Sequence, residues 1–299
     1  MALTTYNTSL DLMKKATLHM IILIETTLLA SQVLSQPYID VINIRYTNSP
    51  DVGFFHHDKN TTKLNYFNVS STLPFQFNHN KDALIISPFF EEWSSQINTI
   101  DSFQKYHYSI ALPVSLLKSI PNSNWKVMIT SIARINDIAI NKDSRWQFGG
   151  ALLATNKIHN SNLTYKFGVY INADFFGLFV MPLIGIDWRI NEKTNLFGVL
   201  PGNLTVEHKL NAHFYWGATF RAITNSYADT SRTYFRIDEN QLGFFADYYL
   251  AKNIVLNLEA GHSLFRQIRT GIKNKRRTDW NANDNLYFKL AFAYRIRLR

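Results

Sequence analysis

From Tyr38 onward, apolar side chains recur at every second position of the chain. A period of two is that of a β-strand with two different faces, whereas a helix would mix the two sets around its circumference. The last segment shows the pattern best, because one set is Leu286, Phe288, Leu290, Phe292, Tyr294, Ile296 and Leu298, and the other is Tyr287, Lys289, Ala291, Ala293, Arg295, Arg297 and Arg299. The same split recurs at 105–114, 125–130, 163–172, 213–221 and 254–261. The chain is therefore predicted to be all-β.

Alternation alone also describes a soluble β-sandwich with a buried apolar face. Two features favour a barrel in lipid instead. The predicted strands run for about ten residues or more, as a tilted strand that crosses a bilayer requires. Their polar faces are rich in Gly, Ala, Ser, Thr and Asn with scattered charges, which is typical of a lumen. Because lipid offers no hydrogen bonds to a bare strand edge, the sheet must close on itself. The fold class predicted is a transmembrane antiparallel β-barrel.

The connections between the strands alternate in kind. Short polar turns are predicted at 78–81, 117–124, 157–162, 191–194, 210–211 and 251–253. Mostly longer loops are predicted at 48–61, 94–103, 136–144, 173–178, 201–202, 225–232 and 267–285. Short periplasmic turns and longer extracellular loops are typical of bacterial outer-membrane barrels, which have even strand numbers. The segments predict about 14 strands, within a range of about 12 to 16.

Aromatic residues near the predicted strand ends indicate interfacial belts, where amphipathic rings sit at the lipid headgroups. They are Trp125, Trp146, Trp188, Tyr106, Tyr165 and Tyr294.

Charged residues make up only 18% of the chain, below the roughly 25% that is usual for soluble domains. Cysteine is absent, which excludes disulfides, zinc–thiolate sites and cysteine nucleophiles and suits passage through an oxidising periplasm.

The first 36 residues have the shape of a secretory signal peptide. Lys14 and Lys15 precede a mainly apolar stretch at 16–30, and small and polar residues follow at 31–36. Met13 is then a candidate for the true start, and the barrel occupies 37–299. The alternative is an amphipathic N-terminal helix of a cytosolic protein, since His19 and Glu25 interrupt the apolar stretch.

One region resembles a known family. The letters VMPLIGIDW at 180–188, NEKT at 191–194, LFGVLP at 196–201 and LTVEHKL at 204–210 form its pattern of strand, short turn and strand ending in Leu-Pro. This pattern is similar to that of an uncharacterised outer-membrane β-barrel family, a domain of unknown function common in Bacteroidota. The resemblance implies a barrel fold, an outer-membrane location and contact with lipid, glycolipid and the barrel-insertion machinery. It brings no catalytic residues and no cofactor. The terminal Arg299 departs from the aromatic end that the insertion machinery reads in many such barrels.

Alternation predicts that eight charged side chains point into the lumen. They are Asp187, Arg189, Glu207, Lys209, Arg221, Asp247, Glu259 and Lys289. Rings of fixed charge tune the selectivity of a pore, so one interpretation is a charged constriction. The alternative is a compensated network of ion pairs that fills a closed barrel.

A second candidate site is a basic loop, formed by Arg269, Lys273, Lys275, Arg276 and Arg277. Arginine forks onto phosphate oxygens, so the loop is a candidate for binding outer-leaflet glycolipid or an anionic solute. The alternative is a solvated loop without a ligand. Nucleic acid is not expected, although the net charge is +9, because the run lacks interleaved aromatic residues for stacking.

Chemistry-bearing groups are few. Glu259, His262 and Ser263 are the only candidates for an esterase, but adjacent strand residues point to opposite faces. His56, His57 and Asp58 lack further ligands at a defined spacing, so no metal site is predicted. Three functions remain: a passive pore for small solutes, a closed barrel that acts through structure or surface binding, and, as the weakest, a lipid hydrolase in the membrane. The prediction is that the protein is not an enzyme.

Overall fold

The structure is a computed structural model that describes residues 36–54, 57–78, 82–98, 103–136, 145–228, 233–272, 275 and 277–298. The predicted signal peptide lies almost entirely outside these ranges and stays a prediction. Within them, no helix is long and apolar enough to cross a membrane. The strands are β1 (Tyr38–Phe54), β2 (His57–Ser71), β3 (Leu73–Gln76), β4 (Ala83–Ile86), β5 (Phe89–Asn98), β6 (Phe103–Ser119), β7 (Trp125–Asn136), β8 (Arg145–Lys157), β9 (Leu163–Asp174), β10 (Gly177–Arg189), β11 (Thr194–Leu200), β12 (Asn203–Lys209), β13 (Phe214–Ala228), β14 (Thr233–Ala251), β15 (Ile254–Ile272), β16 (Arg277–Asn281) and β17 (Leu286–Arg297).

These segments build one closed antiparallel barrel of 14 strands, as predicted. Three strands of the wall are interrupted once, so that β2 with β3, β4 with β5, and β16 with β17 each form one staggered strand. Each piece pairs with the neighbouring wall, as where β4 and β5 both lie along β6. The barrel closes where β1 pairs with β17, from Tyr38 opposite Arg297 to Asn48 opposite Phe288.

The end of the barrel that carries the predicted short turns, called the turn rim below, is built as the sequence indicates. The turn after β10 is an Asn turn, because the Asn191 Oδ1 accepts the backbone N–H groups of Lys193 (2.9 Å) and Thr194 (2.8 Å). The turn after β12 repeats it with Asn211, which accepts the N–H groups of His213 and Phe214. Asparagine favours such turns because its side chain mimics a backbone acceptor.

The opposite end, called the loop rim, differs from the prediction. Most of the chain assigned to long loops is in fact strand: β1 and β2 pair up to Phe54 opposite His57, and β15 continues through Ile272. The loop predicted at 173–178 is a hairpin in which Asp174 pairs with Gly177. Polar residues such as those at 57–63 and 267–272 stay in strands here because their neighbours supply ladder hydrogen bonds, which a pattern of apolar residues does not report.

The outward face of the wall is apolar. Ile129, Phe148, Ile184, Phe244 and Phe292 are all about half exposed or more. Aromatic residues flank this face near both rims. Trp125, Tyr165 and Trp188 are exposed at the turn rim, and Tyr106 and Trp146 are exposed towards the loop rim. The outward apolar face and the aromatic belts are therefore present, as alternation predicts. Tyr294 is the exception, because its side chain is only partly exposed.

An extra residue in β15 changes which side chains point inward. The register with β14 shifts between Asp238 opposite Gln267 and Asn240 opposite Leu264, and Phe265 has a positive φ of 54° and is exposed. Such a bulge inserts one residue into one strand only. Ser263 points inward before the bulge and Arg266 points inward after it, so the alternation is reversed in the upper part of the strand.

The wall is low at β11 and β12. Each has 7 residues, whereas β10 has 13 and β13 has 15. Seven residues tilted by about 40° rise about 18 Å, which is less than the roughly 25 Å apolar band of outer-membrane barrels. Residues 177–183 of β10 and 222–228 of β13 therefore extend above the β11–β12 hairpin with a strand partner on one side only in the described chain.

At the turn rim, Asp82 ties two hairpins together. Its Oδ1 accepts the backbone N–H of Ser119 at 2.7 Å and its Oδ2 accepts the amide of Asn78 at 2.7 Å. The Nζ of Lys118 lies 3.4 Å from the same carboxylate. These contacts, the Ser119 N–H first, hold the pKa of the Asp82 carboxyl below its usual range.

We expect Asp82 to make folding pH-dependent. A carboxyl whose pKa is lower in the folded state adds stability above its unfolded pKa of about 4, and this is lost as the pH falls through the folded pKa. The melting temperature of the wild type should therefore exceed that of Asp82→Asn at about pH 7, and the gap should shrink towards about pH 3. Glu192→Gln, at an exposed turn residue, is the control. A gap that stays constant over this range would contradict the assignment.

Candidate functional site

The centre of the lumen holds an ion-pair cluster built from three of the predicted residues. The guanidinium of Arg221 donates to both oxygens of Glu259, at 3.1 and 3.2 Å, and the Nζ of Lys289 donates to the same carboxylate. The hydroxyl of Tyr287 also donates to Glu259, at 2.7 Å. Glu259 is 4% exposed, so its charge depends on these partners. Removing one partner of such a buried pair costs about 3–5 kcal/mol.

Two glycines make room for this cluster. A Cβ on Gly243 would lie 2.2 Å from the hydroxyl of Tyr287, and one on Gly261 would lie 2.7 Å from it. Gly243 and Gly261 are paired on β14 and β15, so the Tyr287 ring crosses over both backbones to reach Glu259. A methyl group at either position would displace the hydroxyl.

A second cluster crosses the bore near the turn rim. Arg297 on β17 donates to both oxygens of Glu207 on β12, at 2.7 and 3.0 Å, and its Nε donates to the hydroxyl of Tyr249. The guanidinium lies 3.7 Å from the centre of the Tyr215 ring, a cation–π contact. Since β12 and β17 are not neighbours in the wall, this bidentate pair spans the lumen.

Beside it, Arg295 bridges two carboxylates. Its Nε lies 2.6 Å from Asp40, and its Nη1 lies 2.6 Å from Asp247. The sequence placed Arg295 and Arg297 on the polar face of the last strand but did not select them as site residues. Their role is shown by partners that are distant in sequence and that come near only when the barrel closes.

The remaining predicted charges lie lower in the barrel. Asp187 is buried and pairs with Lys166 of β9 at 2.7 Å. Arg189 and Lys209 are the last residues of β10 and β12, so they sit at the mouth of the turn rim, and Lys209 is exposed there. The structure thus brings Arg221, Glu259 and Lys289 together and leaves Arg189 and Lys209 apart from them.

A polar cavity of about 300 Å³ lies between these two clusters. Four basic and two acidic side chains line it, together with hydroxyls and amides, and the charged ones are Arg45, Arg221, Lys289, Arg295, Asp40 and Glu259. Arg45 lies 4.6 Å from the ring of Tyr66. The excess of basic groups makes the cavity suited to small anions.

Towards the loop rim, the upper parts of β13 and β14 lean into the bore; residues 222–228 and 233–240 are called the plug hairpin below. The hydroxyl of Ser226 donates to Asp174 on β9 at 2.8 Å and accepts the amide of Gln147 on β8 at 3.1 Å. Its neighbour Asn225 donates to Glu91 on β5 at 2.5 Å. A strand that contacts β5, β8 and β9 at adjacent residues must run across the lumen.

Glu91 is the polar centre of this crossing. It accepts the hydroxyls of Tyr66 (2.9 Å) and Tyr227 (3.1 Å) and pairs with Arg134. Alternation does not reveal Glu91, because the period of two is lost in the run Phe89-Phe90-Glu91-Glu92. A second missed pair joins Arg266 to both oxygens of Glu239, at 2.6 and 2.9 Å. Arg266 points inward only because of the bulge at Phe265.

An apolar core packs beside these polar groups. Its buried members are Val52, Leu64, Tyr66, Trp93, Tyr227, Phe235, Ile237, Ile268 and Ala282. Three of them belong to the plug hairpin, so hydrophobic packing as well as hydrogen bonding holds the hairpin inside the barrel.

The predicted basic loop is partly neutralised. Arg269 pairs with Asp238 at 2.9 Å and lies 3.6 Å from Asp279, and Arg277 lies 3.2 Å from the same Asp279 oxygen. Lys275 is exposed. Lys273 and Arg276 lie outside the described residues.

The candidate esterase residues are not joined. Ser263 is buried and its hydroxyl donates to the carbonyl of Asn285 at 3.0 Å, whereas the exposed His262 contacts the backbone oxygen of Ser263. Among the described residues, no three His, Cys, Asp or Glu side chains are grouped to hold a metal. His56 lies outside the described residues, and the side chains of His57 and Asp58 are not described.

Solved structures of similar shape include three named as channels or porins. The NanC porin has a TM-score of 0.40 at 9% identity, covering 85% of this chain and 98% of its own. An outer membrane channel from Pseudomonas putida F1 has a TM-score of 0.43 at 9% identity, covering 88% and 97%. A mutant of the TodX monoaromatic hydrocarbon channel has 0.41 at 8%, covering 88% and 91%. Likeness at this level does not transfer a function.

The search of curated proteins gives no match. The family scan gives one, over residues 45–299, which cover most of the chain and include the whole stretch that carries the resemblance at 180–210. On that match, the chain belongs to the family described as Domain of unknown function (DUF6268).

Proposed function

We propose that the protein resides in a bacterial outer membrane and is a channel for small polar solutes, anions before cations, whose path is narrowed at rest. The membrane location is supported by the outward apolar face, which would expose large hydrophobic side chains to water around the whole barrel. The aromatic belts near both rims support the same location. Lipid is then the partner of the outer wall.

The observation that carries the channel proposal is the polar cavity inside the barrel. Hydroxyls, amides and charges line it, with an excess of basic groups, and rings of fixed charge select ions. Two discrete contacts narrow the bore on either side: the Arg297–Glu207 pair towards the turn rim and the plug hairpin towards the loop rim. The Arg297–Glu207 pair rests on side chains that a rotamer change releases, whereas the plug hairpin is also held by its apolar core.

A second candidate is a closed barrel that acts through structure or surface binding. The cross-lumen ion pairs and the apolar core beneath the plug hairpin favour it, because they fill the interior in the way that a compensated network does. The two candidates differ in whether current passes along the barrel axis.

The outer wall can be tested with Phe244→Arg. Phe244 is 72% exposed on β14, between Leu242 and Tyr248 on the outward face. Arginine at the bilayer midplane of a barrel costs about 2–4 kcal/mol, and near an interface about 0–1 kcal/mol. The free energy of unfolding in phospholipid vesicles, measured by denaturant titration, should fall by the larger amount for Phe244→Arg. Leu210→Arg, in an exposed turn, is the control and should show the smaller loss. Equal losses would contradict the membrane placement.

The narrowing contact can be tested with Glu207→Gln in a planar bilayer. The variant keeps the shape of the side chain but breaks the ion pair with Arg297, so we expect larger and longer current steps than in the wild type. Glu192→Gln removes an exposed carboxylate near the same rim and should conduct as the wild type does. A shift in electrophoretic mobility on heating would verify that each variant is folded. Silence from all three folded proteins would favour the closed barrel.

The sign of the cavity charge predicts anion preference. In the Glu207→Gln background, the reversal potential under a KCl gradient should indicate chloride over potassium. Arg45→Gln should reduce that preference at least twofold in permeability ratio, because Arg45 lines the cavity. Lys118→Gln removes an exposed positive charge at the turn rim and is the control. A preference that Arg45→Gln leaves unchanged would show that the cavity is not on the ion path.

A further inference from the structure

The low wall at β11 and β12 leaves an opening in the side of the barrel, called the side window below. Its two sides are residues 177–183 of β10 and 222–228 of β13, which run past the hairpin at 200–203. Along β10 the window measures about 23 Å, from seven residues at about 3.3 Å each. Below, the carbonyl of Gly202 accepts the N–H of Ala222 at 3.0 Å.

The window is closed at the top. The N–H of Phe175, at the tip of the β9–β10 hairpin, donates to the Ser226 hydroxyl at 3.2 Å. Arg236 of the plug hairpin lies 4.2 Å from the ring centre of Phe176 and 5.6 Å from that of Phe179. The opening is therefore bounded on four sides by described residues.

The register shows which backbone groups face the window. Asp174 and Gly177 close a two-residue hairpin, so the odd residues of β10 bond to β9, and Ile190 bonds in the other direction, to Thr194. Leu178, Val180 and Pro182 therefore turn their backbone groups towards the window. Proline has no N–H, and within sheets it is confined to edges and bulges. Pro182 thus marks this part of β10 as an edge in the sequence itself.

The window lies at the depth of the outward apolar face. Leu178 and Val180, on its edge, are 72% and 53% exposed, and Ile184 continues the same face below them. A strand edge in hydrocarbon leaves polar backbone groups unsatisfied, and it is tolerated only where it is buried in protein or lines a water-filled cavity. Among the described residues, no strand pairs with Leu178 and Val180 on this side of β10, so their N–H groups offer two donors to a polar ligand.

The inner side of the window is apolar. Phe179, Met181 and Leu183 are the inward-facing residues of this stretch of β10 and are partly exposed. Lower in the same strand, the inward-facing residue is the buried Asp187, which is ion-paired. The change from charged to apolar side chains occurs where the wall opens to lipid.

Positive charge lies beside the top of the window. Arg236 and Arg269 share the carboxylate of Asp238, at 2.8 and 2.9 Å. Arg269 has a second partner in Asp279, at 3.6 Å, so Arg236, which contacts the ring of Phe179, is the cation that the window offers. A guanidinium group at this place favours an anionic headgroup over a cationic one.

We propose that the side window is a binding site for a single-chain amphiphile with an anionic head, such as a long-chain fatty acid, which enters sideways from the membrane. Its hydrocarbon chain packs on Phe179, Met181 and Leu183, and its carboxylate accepts the N–H groups of Leu178 and Val180 near Arg236. This site rests on the proposed membrane placement but not on conduction along the axis.

The chain has no cysteine, so a single introduced cysteine can be labelled without labelling any other site. A bimane fluorophore on Met181→Cys, in phosphatidylcholine vesicles, would be titrated with stearate that carries a nitroxide. We expect saturable quenching that unlabelled oleate displaces. The control is Ile129→Cys, on the outward face of β7 and away from the side window. Its quenching should rise in proportion to the probe in the membrane and resist displacement. Quenching at Met181→Cys that follows the control pattern would overturn the proposal.

A second pair of variants tests the site without a label on β10, in case the label itself disturbs binding. Leu183→Trp fills the space behind β10 and should weaken oleate binding at least tenfold, whereas Ile184→Trp, on the outward face, should not. The methyl ester of the nitroxide stearate should bind Met181→Cys at least tenfold more weakly than the acid, because it lacks the charge. Equal binding of acid and ester would overturn the anionic headgroup. All readouts are independent of current, so a silent barrel that still binds stearate would refute the channel and leave the side window standing.

Discussion

The constraint on which the structure depends is that a sheet in lipid must satisfy its own backbone hydrogen bonds. Closure of β1 on β17 does this for the wall as a whole and fixes which side chains meet inside the bore. Each inward charge then lies in a low-dielectric space and needs a partner, and closure brings the partners together as ion pairs. Within the described chain, backbone pairing is incomplete at the side window, which coincides with Pro182 and an apolar inner face.

Much of the wall was predictable, because strand alternation is local: one face must suit lipid and the other a polar interior. The 14 strands and the turn rim were confirmed from this period and from the Asn turns. The loop rim was not, because polar residues there remain in strands when a neighbouring strand supplies hydrogen bonds. The plug hairpin could not be predicted from the sequence either, because its inward lean depends on contacts between Ser226 and residues about 50 to 80 positions away.

The candidate site divides in the same way. Glu207, Arg221, Asp247, Glu259 and Lys289 were assigned to the lumen by parity, and they lie there in ion pairs. The partners of these residues were harder to predict. Arg295 and Arg297 lie on the polar face of β17, but only their ion pairs with Asp247 and Glu207 show their role. Arg266 follows from a one-residue bulge that alternation cannot foresee. The predicted family was confirmed, while its taxonomic range, the signal peptide and the lack of enzymatic activity stay predictions.

The pairing of Arg295 and Arg297 with Asp40, Asp247 and Glu207 has a consequence for assembly. The strand β17 supplies the cations that β1 and the distant wall require. Until that strand docks, three carboxylates inside the nascent cylinder lack these counterions, and an unfinished barrel is electrostatically frustrated. Docking of β17 thus completes the seam and supplies counterions to these carboxylates in one event, so correct closure and formation of the ion pairs occur together.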